Sequence, residues 1–148
     1  MAQTFYHKTY LLFFLIIGIF TSCGDEYQAN NLLPNTPVNY IVNMNLPQYS
    51  DLQITGVYKE TPSNIGIQGV IIYNFNGTYK AFDLACPHKP VRSCSKMSFD
   101  GSLFLTCPCD DARFSIYDGS PQTGEISDFA REYHVEQLGG NQLRITNY

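Results

Sequence analysis

The side chains best suited to metal or redox chemistry gather in two short boxes, Cys86-Pro87-His88 and Cys107-Pro108-Cys109-Asp110, with Cys94 between them. Thiolate, imidazole and carboxylate are all transition-metal donors. One zinc ion could take Cys86, His88, Cys107 and either Cys109 or Asp110, although Cys-x-His and Cys-x-Cys are tighter than the usual two-residue knuckle. The same sulfurs can also do quite different chemistry. Of the 5 cysteines, Cys23 stands apart near the N-terminus. The remaining Cys86, Cys94, Cys107 and Cys109 can form two disulfides in an oxidising compartment, with three pairings open to them. Two disulfides and no cofactor account for the even count without any metal. His88 on a loop after Cys-Pro, His134 on the outward side of a strand, and the adjacent acids Asp110-Asp111 each read as solvated when taken alone.

The boxes need a rigid scaffold, and the sequence around them reads as short strands. Val38, Tyr40, Val42, Met44 and Leu46 alternate with Asn39, Ile41, Asn43 and Asn45, close to the period of two of a half-buried strand. Gly69–Asn74 and Thr78–Leu84 flank Asn76-Gly77, the dipeptide whose residues best accept the positive φ of a type I′ hairpin turn. That turn also explains the sequon-like Asn76-Gly77-Thr78. Leu103–Thr106 and Arg113–Tyr117 supply strands on either side of the second box, and Glu132–Leu138 with Gln142–Thr146 form a last hairpin around Gly139-Gly140. No segment beyond the N-terminal apolar run carries a helical period. Strands this short, separated by Gly/Asn turns, predict an all-β antiparallel sandwich or barrel that presents both boxes on loops. The many tyrosines (11, with no Trp) suit strand packing.

The N-terminal segment 1–22 reads as a leader. Lys8 precedes the apolar run Leu11–Phe20, and Thr21-Ser22-Cys23 follows. A run of about ten residues is too short to span a bilayer and suits a signal-peptide core. Small residues followed by cysteine resemble a bacterial lipobox, which would leave Cys23 as the lipidated first residue and the membrane as a partner. Residues 23–37, polar and ending in Pro34 and Pro37, read as a tether, and 38–148 as the β domain. A net charge of −4 and no basic cluster argue against a nucleic-acid partner. With 44% hydrophobic and 15% charged residues, the chain has the composition of a folded domain and not a disordered one.

The two boxes together resemble those of Rieske iron–sulfur proteins, where Cys-x-His and Cys-x-x-His hold one [2Fe–2S] cluster, two thiolates on one iron and two imidazoles on the other. Cys107-Pro108-Cys109-Asp110-Asp111-Ala112-Arg113-Phe114 is similar to the Cys-Pro-Cys-His-Gly-Ser-x-Phe box of the cytochrome bc type. Gly119-Ser120-Pro121 with Gly124 resembles that family's proline loop, and Tyr133-His134-Val135-Glu136 its closing strand. The resemblance spans residues 38–148 and departs at Asp110 for His, at Asp111 for Gly, and in a slightly long spacing between the boxes.

The resemblance implies a Rieske-like fold, a disulfide between Cys94 and Cys109, and Cys86, His88, Cys107 and Asp110 at the cluster positions. A carboxylate at Asp110 is a hard anionic donor where a neutral imidazole belongs, and it should lower a potential that imidazole ligation raises. Without a cluster, Cys86 and Cys107 are close enough to pair with each other. Such proteins are loaded inside the cell and exported folded by the twin-arginine path, whereas Met1–Tyr10 contains no arginine. The expectation is therefore a lipid-anchored, disulfide-stapled module of the cell envelope. It would have no cofactor or catalysis of its own and would bind an envelope protein yet to be identified. The alternative is a [2Fe–2S] electron carrier, which would need a separate redox partner.

Overall fold

In the computed structural model, residues 32–147 are described. The leader, Cys23 and the first part of the tether lie outside them. Among the described residues, nine strands form two antiparallel sheets. The larger runs in the order β1 (Asn39–Asn43), β9 (Gln142–Thr146), β8 (Glu132–Leu138), β4 (Thr78–Asp83), β3 (Val70–Phe75) and β2 (Tyr58–Glu60). The smaller is β5 (Ser98–Phe99), β6 (Phe104–Cys107) and β7 (Ala112–Ser115). The one helical element among the described residues is the 3-10 turn Ser50–Gln53. The fold is all-β, as the strand pattern predicts, and none of the described helices is long and apolar enough to cross a membrane.

The centre of the large sheet is buried on both faces. Ile71, Tyr73, Phe82 and Leu84 pack with Leu105, Cys107, Phe114 and Ile116 of the small-sheet side. Val70, Ile72 and Ala81 face the other way, onto Val42, Leu52, Tyr133, Leu143 and Ile145. Alternate residues of β3 thus feed two separate cores, and for that reason Val70–Tyr73 is a continuous apolar run and not an alternating one. The β3–β4 hairpin turns at Asn76 (φ 51°) and Gly77 (φ 85°), both left-handed, with Gly77 N–H donating to Asn74 Oδ1 at 2.7 Å.

Two boundaries differ most from the sequence expectation. The first strand stops at Asn43 and does not reach Leu46, because Asn43 Oδ1 accepts Asn45 N–H and turns the chain. Leu46 is left exposed. The tether expected to reach Pro37 is already docked at Leu33, which is buried, while Arg131 donates to Pro34 O (2.7 Å) and Asn147 Nδ2–H to Thr36 O (3.2 Å). Strands β2 and β5 were not expected.

Candidate functional site

Box 1 leaves the end of β4 through Asp83-Leu84-Ala85. Asp83 is fully buried and accepts hydrogen bonds from Ile67 N–H (2.7 Å), Gln68 N–H (3.3 Å), Ala85 N–H (2.8 Å) and Tyr133 O–H (2.7 Å). One carboxylate so ties the 66–68 loop, the start of box 1 and β8 together. Burial first, and the Asp83 carboxylate second, push the Tyr133 hydroxyl well above its usual value and keep it a donor. Cys86 N–H then bonds Ser95 O at 2.8 Å, so the loop after box 1 returns beside it.

Box 2 sits at the β6–β7 turn. Cys107 ends β6, Asp111 N–H returns to Cys107 O at 2.9 Å, and Asp111 takes φ 59°. Aspartate tolerates this left-handed conformation better than most residues. The turn therefore forms although the residue there is not glycine.

Two disulfides join the boxes. Cys86 bonds Cys107, with both residues fully buried in the core between the sheets. Cys94 bonds Cys109 closer to the surface. His88, expected to be a solvated loop residue, is instead tucked in. Its side chain is 10% exposed, and its ring lies 5.7 Å from that of Phe114. His88 Nε2 is 2.7 Å from Asp110 Oδ2, and Lys89 Nζ is 2.9 Å from the same oxygen. Partial burial would raise the Asp110 carboxyl, but hydrogen bonds from His88, Lys89 and the Ala112 N–H outweigh it and hold the group at about 2. An ionised Asp110 can only accept, so the proton of that pair is on Nε2. The other nitrogen, Nδ1, is buried and has no hydrogen-bond partner among the described residues.

Four of the residues singled out from the sequence, Cys86, His88, Cys107 and Asp110, thus stand together: a ring nitrogen of His88, Cys107 Sγ and an Asp110 oxygen lie within 4.8 Å of one another. His134 is elsewhere, on the exposed side of β8. Cys23 is outside the described residues. Asp83 and Lys89 were missed. An acid inside the apolar run Ala81-Phe82-Asp83-Leu84-Ala85 was the available signal for Asp83.

The donor set does not fit a Rieske-type cluster. Two free thiolates and two imidazoles are required. Here the two sulfurs are bonded to each other and one imidazole is present, its Nε2 committed to Asp110. Asp110 in turn is paired with Lys89 as well as His88.

A sequence model of the Rieske [2Fe-2S] domain matches residues 45–136. No curated protein matches the chain. Among solved structures, the ferredoxin of carbazole 1,9a-dioxygenase from Nocardioides aromaticivorans IC177 is 20% identical, with 76% of this chain and 99% of that one covered at a TM-score of 0.49. The plasma membrane Rieske protein of Synechocystis PCC 6803 is 19% identical, with 74% and 97% covered at 0.47.

Proposed function

The chain belongs to the Rieske [2Fe-2S] domain family, and from that premise we propose that it is a cluster-free member, a disulfide-stapled binding or structural module anchored in the cell envelope through Cys23. The observation that carries this reading is the Cys86–Cys107 disulfide, which engages both sulfurs the family uses for iron. The pairing of that imidazole with Asp110, which is itself paired with Lys89, supports it further, since the residue in place of the second histidine engages the first box and does not act beside it. The module has no catalytic step of its own and works by presenting a surface to an envelope partner. The leader ending in Thr21-Ser22-Cys23 and the absence of arginine from Met1–Tyr10 support export by the general route, lipid attachment at Cys23 and arrival without a cluster.

The test is to measure iron and acid-labile sulfide per chain on protein isolated from its own envelope, with free thiols counted in parallel. The expected result is neither element and no free thiol at Cys86, Cys94, Cys107 or Cys109. Near-stoichiometric iron and sulfide would replace this reading with the electron carrier.

A further inference from the structure

Where the tether enters the domain, two large apolar side chains are left in solvent. Leu32 is 43% exposed, while Leu33 next to it is buried. Arg131 clamps this point, donating to Leu33 O at 3.4 Å and to Pro34 O at 2.7 Å. Two residues before Arg131 stands Phe129, 59% exposed although Ala130 between them is buried. The segment is fixed and not loose: Ala130 N–H donates to Gly119 O (2.8 Å), and Arg131 O accepts Asp83 N–H (2.8 Å). A leucine and a phenylalanine are thus presented outward from the two stretches that meet at Arg131. Single exposed apolar residues are ordinary, but a pair flanking the rigid joint of a tether has a particular neighbour.

We infer that this face, Leu32 with Phe129, rests on the surface of the lipid bilayer, both side chains lying among the headgroups. The inference deepens the anchored-module reading and rests on lipid attachment at Cys23. What selects a bilayer over a protein is the length of chain leading to the face. Eight residues, 24–31, separate Cys23 from Leu32. Such a stretch cannot span more than about 32 Å. A globular domain of this size is about 35 Å across. The tether is therefore no longer than the domain is wide, and Leu32 is where it attaches. With the acyl chains in the membrane, the face around Leu32 stays close to lipid, and at so high an effective concentration weak apolar contacts are populated. Leucine and phenylalanine suit the boundary between headgroups and acyl chains, where they leave water without needing a hydrogen bond. Arg131 beside them spends its guanidinium on Leu33 O and Pro34 O, so the contact does not depend on anionic lipid. Asp128, exposed next to Phe129, must stay in water and keeps the ring from going deeper.

The chain contains no tryptophan, so a single introduced one reports its own surroundings. Phe129→Trp places it in the proposed contact. Ile54→Trp is the control. Ile54 is 61% exposed but sits toward the β3–β4 hairpin, where Gly56 N–H donates to Asn74 O (2.8 Å), at the other end of β3 from Val70 and its partner Asp83. Each full chain is purified from its own envelope and reconstituted into phosphatidylcholine vesicles with or without brominated acyl chains. Both variants should float with the vesicles. Only Phe129→Trp should shift its emission to the blue on reconstitution and lose intensity to bromine, and adding Leu32→Ser should reverse much of that loss. Emission from Phe129→Trp that matches Ile54→Trp in floating chains, or quenching that Leu32→Ser leaves unchanged, overturns the inference while the anchored module stands. A blue shift without bromine quenching also overturns it and gives the face to a second copy of the chain. Chains that do not float overturn the anchoring and this inference together.

Discussion

Asp110 occupies the place of an imidazole, and its environment says what it does there. Its carboxyl is held at about 2, below the usual 3.8, by His88 and Lys89. A group whose folded-state pKa is depressed stabilises the fold above its unfolded value and loses that contribution as pH falls through the folded one. The stabilisation should therefore be complete above about pH 5 and vanish toward pH 2. The side chain is 30% exposed, so solvent screening keeps the effect small, at most about 1 kcal/mol. Urea midpoints of wild type and Asp110→Asn should differ at pH 6 and converge near pH 2; a gap that persists at pH 2 would assign the difference to something other than ionisation. At Asp83 the stakes are higher because nothing there is wet. Tyr133→Phe takes away one of four donors and should cost about 1–3 kcal/mol with little change in the urea slope. None of this was readable from residue types. The two boxes announce themselves by spacing, but the burial of His88 depends on Phe114, which is brought in by a different strand.

Between the sheets, a row of rings does the joining at one margin. Tyr58 of β2 meets Phe99 of β5 edge-on at 4.7 Å, Phe99 meets Tyr73 of β3 at 6.0 Å, and Tyr117 after β7 meets Tyr73 at 6.4 Å and Phe75 at 4.9 Å. Edge-to-face pairs of this kind add about 0.5–1.5 kcal/mol beyond the area they bury. A double-mutant cycle on Tyr58 and Phe99, each to Leu, should return a coupling in that range, and a coupling near zero would make the contact incidental. The row also explains which strands could be read in advance. The hairpins at Asn76-Gly77 and Gly139-Gly140 carry their turn chemistry in adjacent residues. Strands β2 and β5, only three and two residues long, exist because the strand that follows each accepts it: Lys59 opposite Ile72, Phe99 opposite Leu105. So short a segment has no period to detect.

For the molecule as a whole, the two disulfides link the same pair of loops at different depths. Cys86–Cys107 closes 21 residues inside the core, while Cys94–Cys109 closes 15 nearer the surface. A mild reductant should open the outer bond first, read as two thiols before four in a trapping series. The variant Cys94→Ser/Cys109→Ser should lose about 2–4 kcal/mol and still fold, since the buried bond remains. The arrangement has another consequence. Both bonds span residues 95–106, the stretch that holds β5 and the exposed Asp100-Gly101-Ser102 turn. A protease that cut the backbone anywhere in that stretch would leave two peptides still joined by both bridges, migrating as one species until reduced. The exposed face beside the site can therefore be nicked without parting the residues behind it.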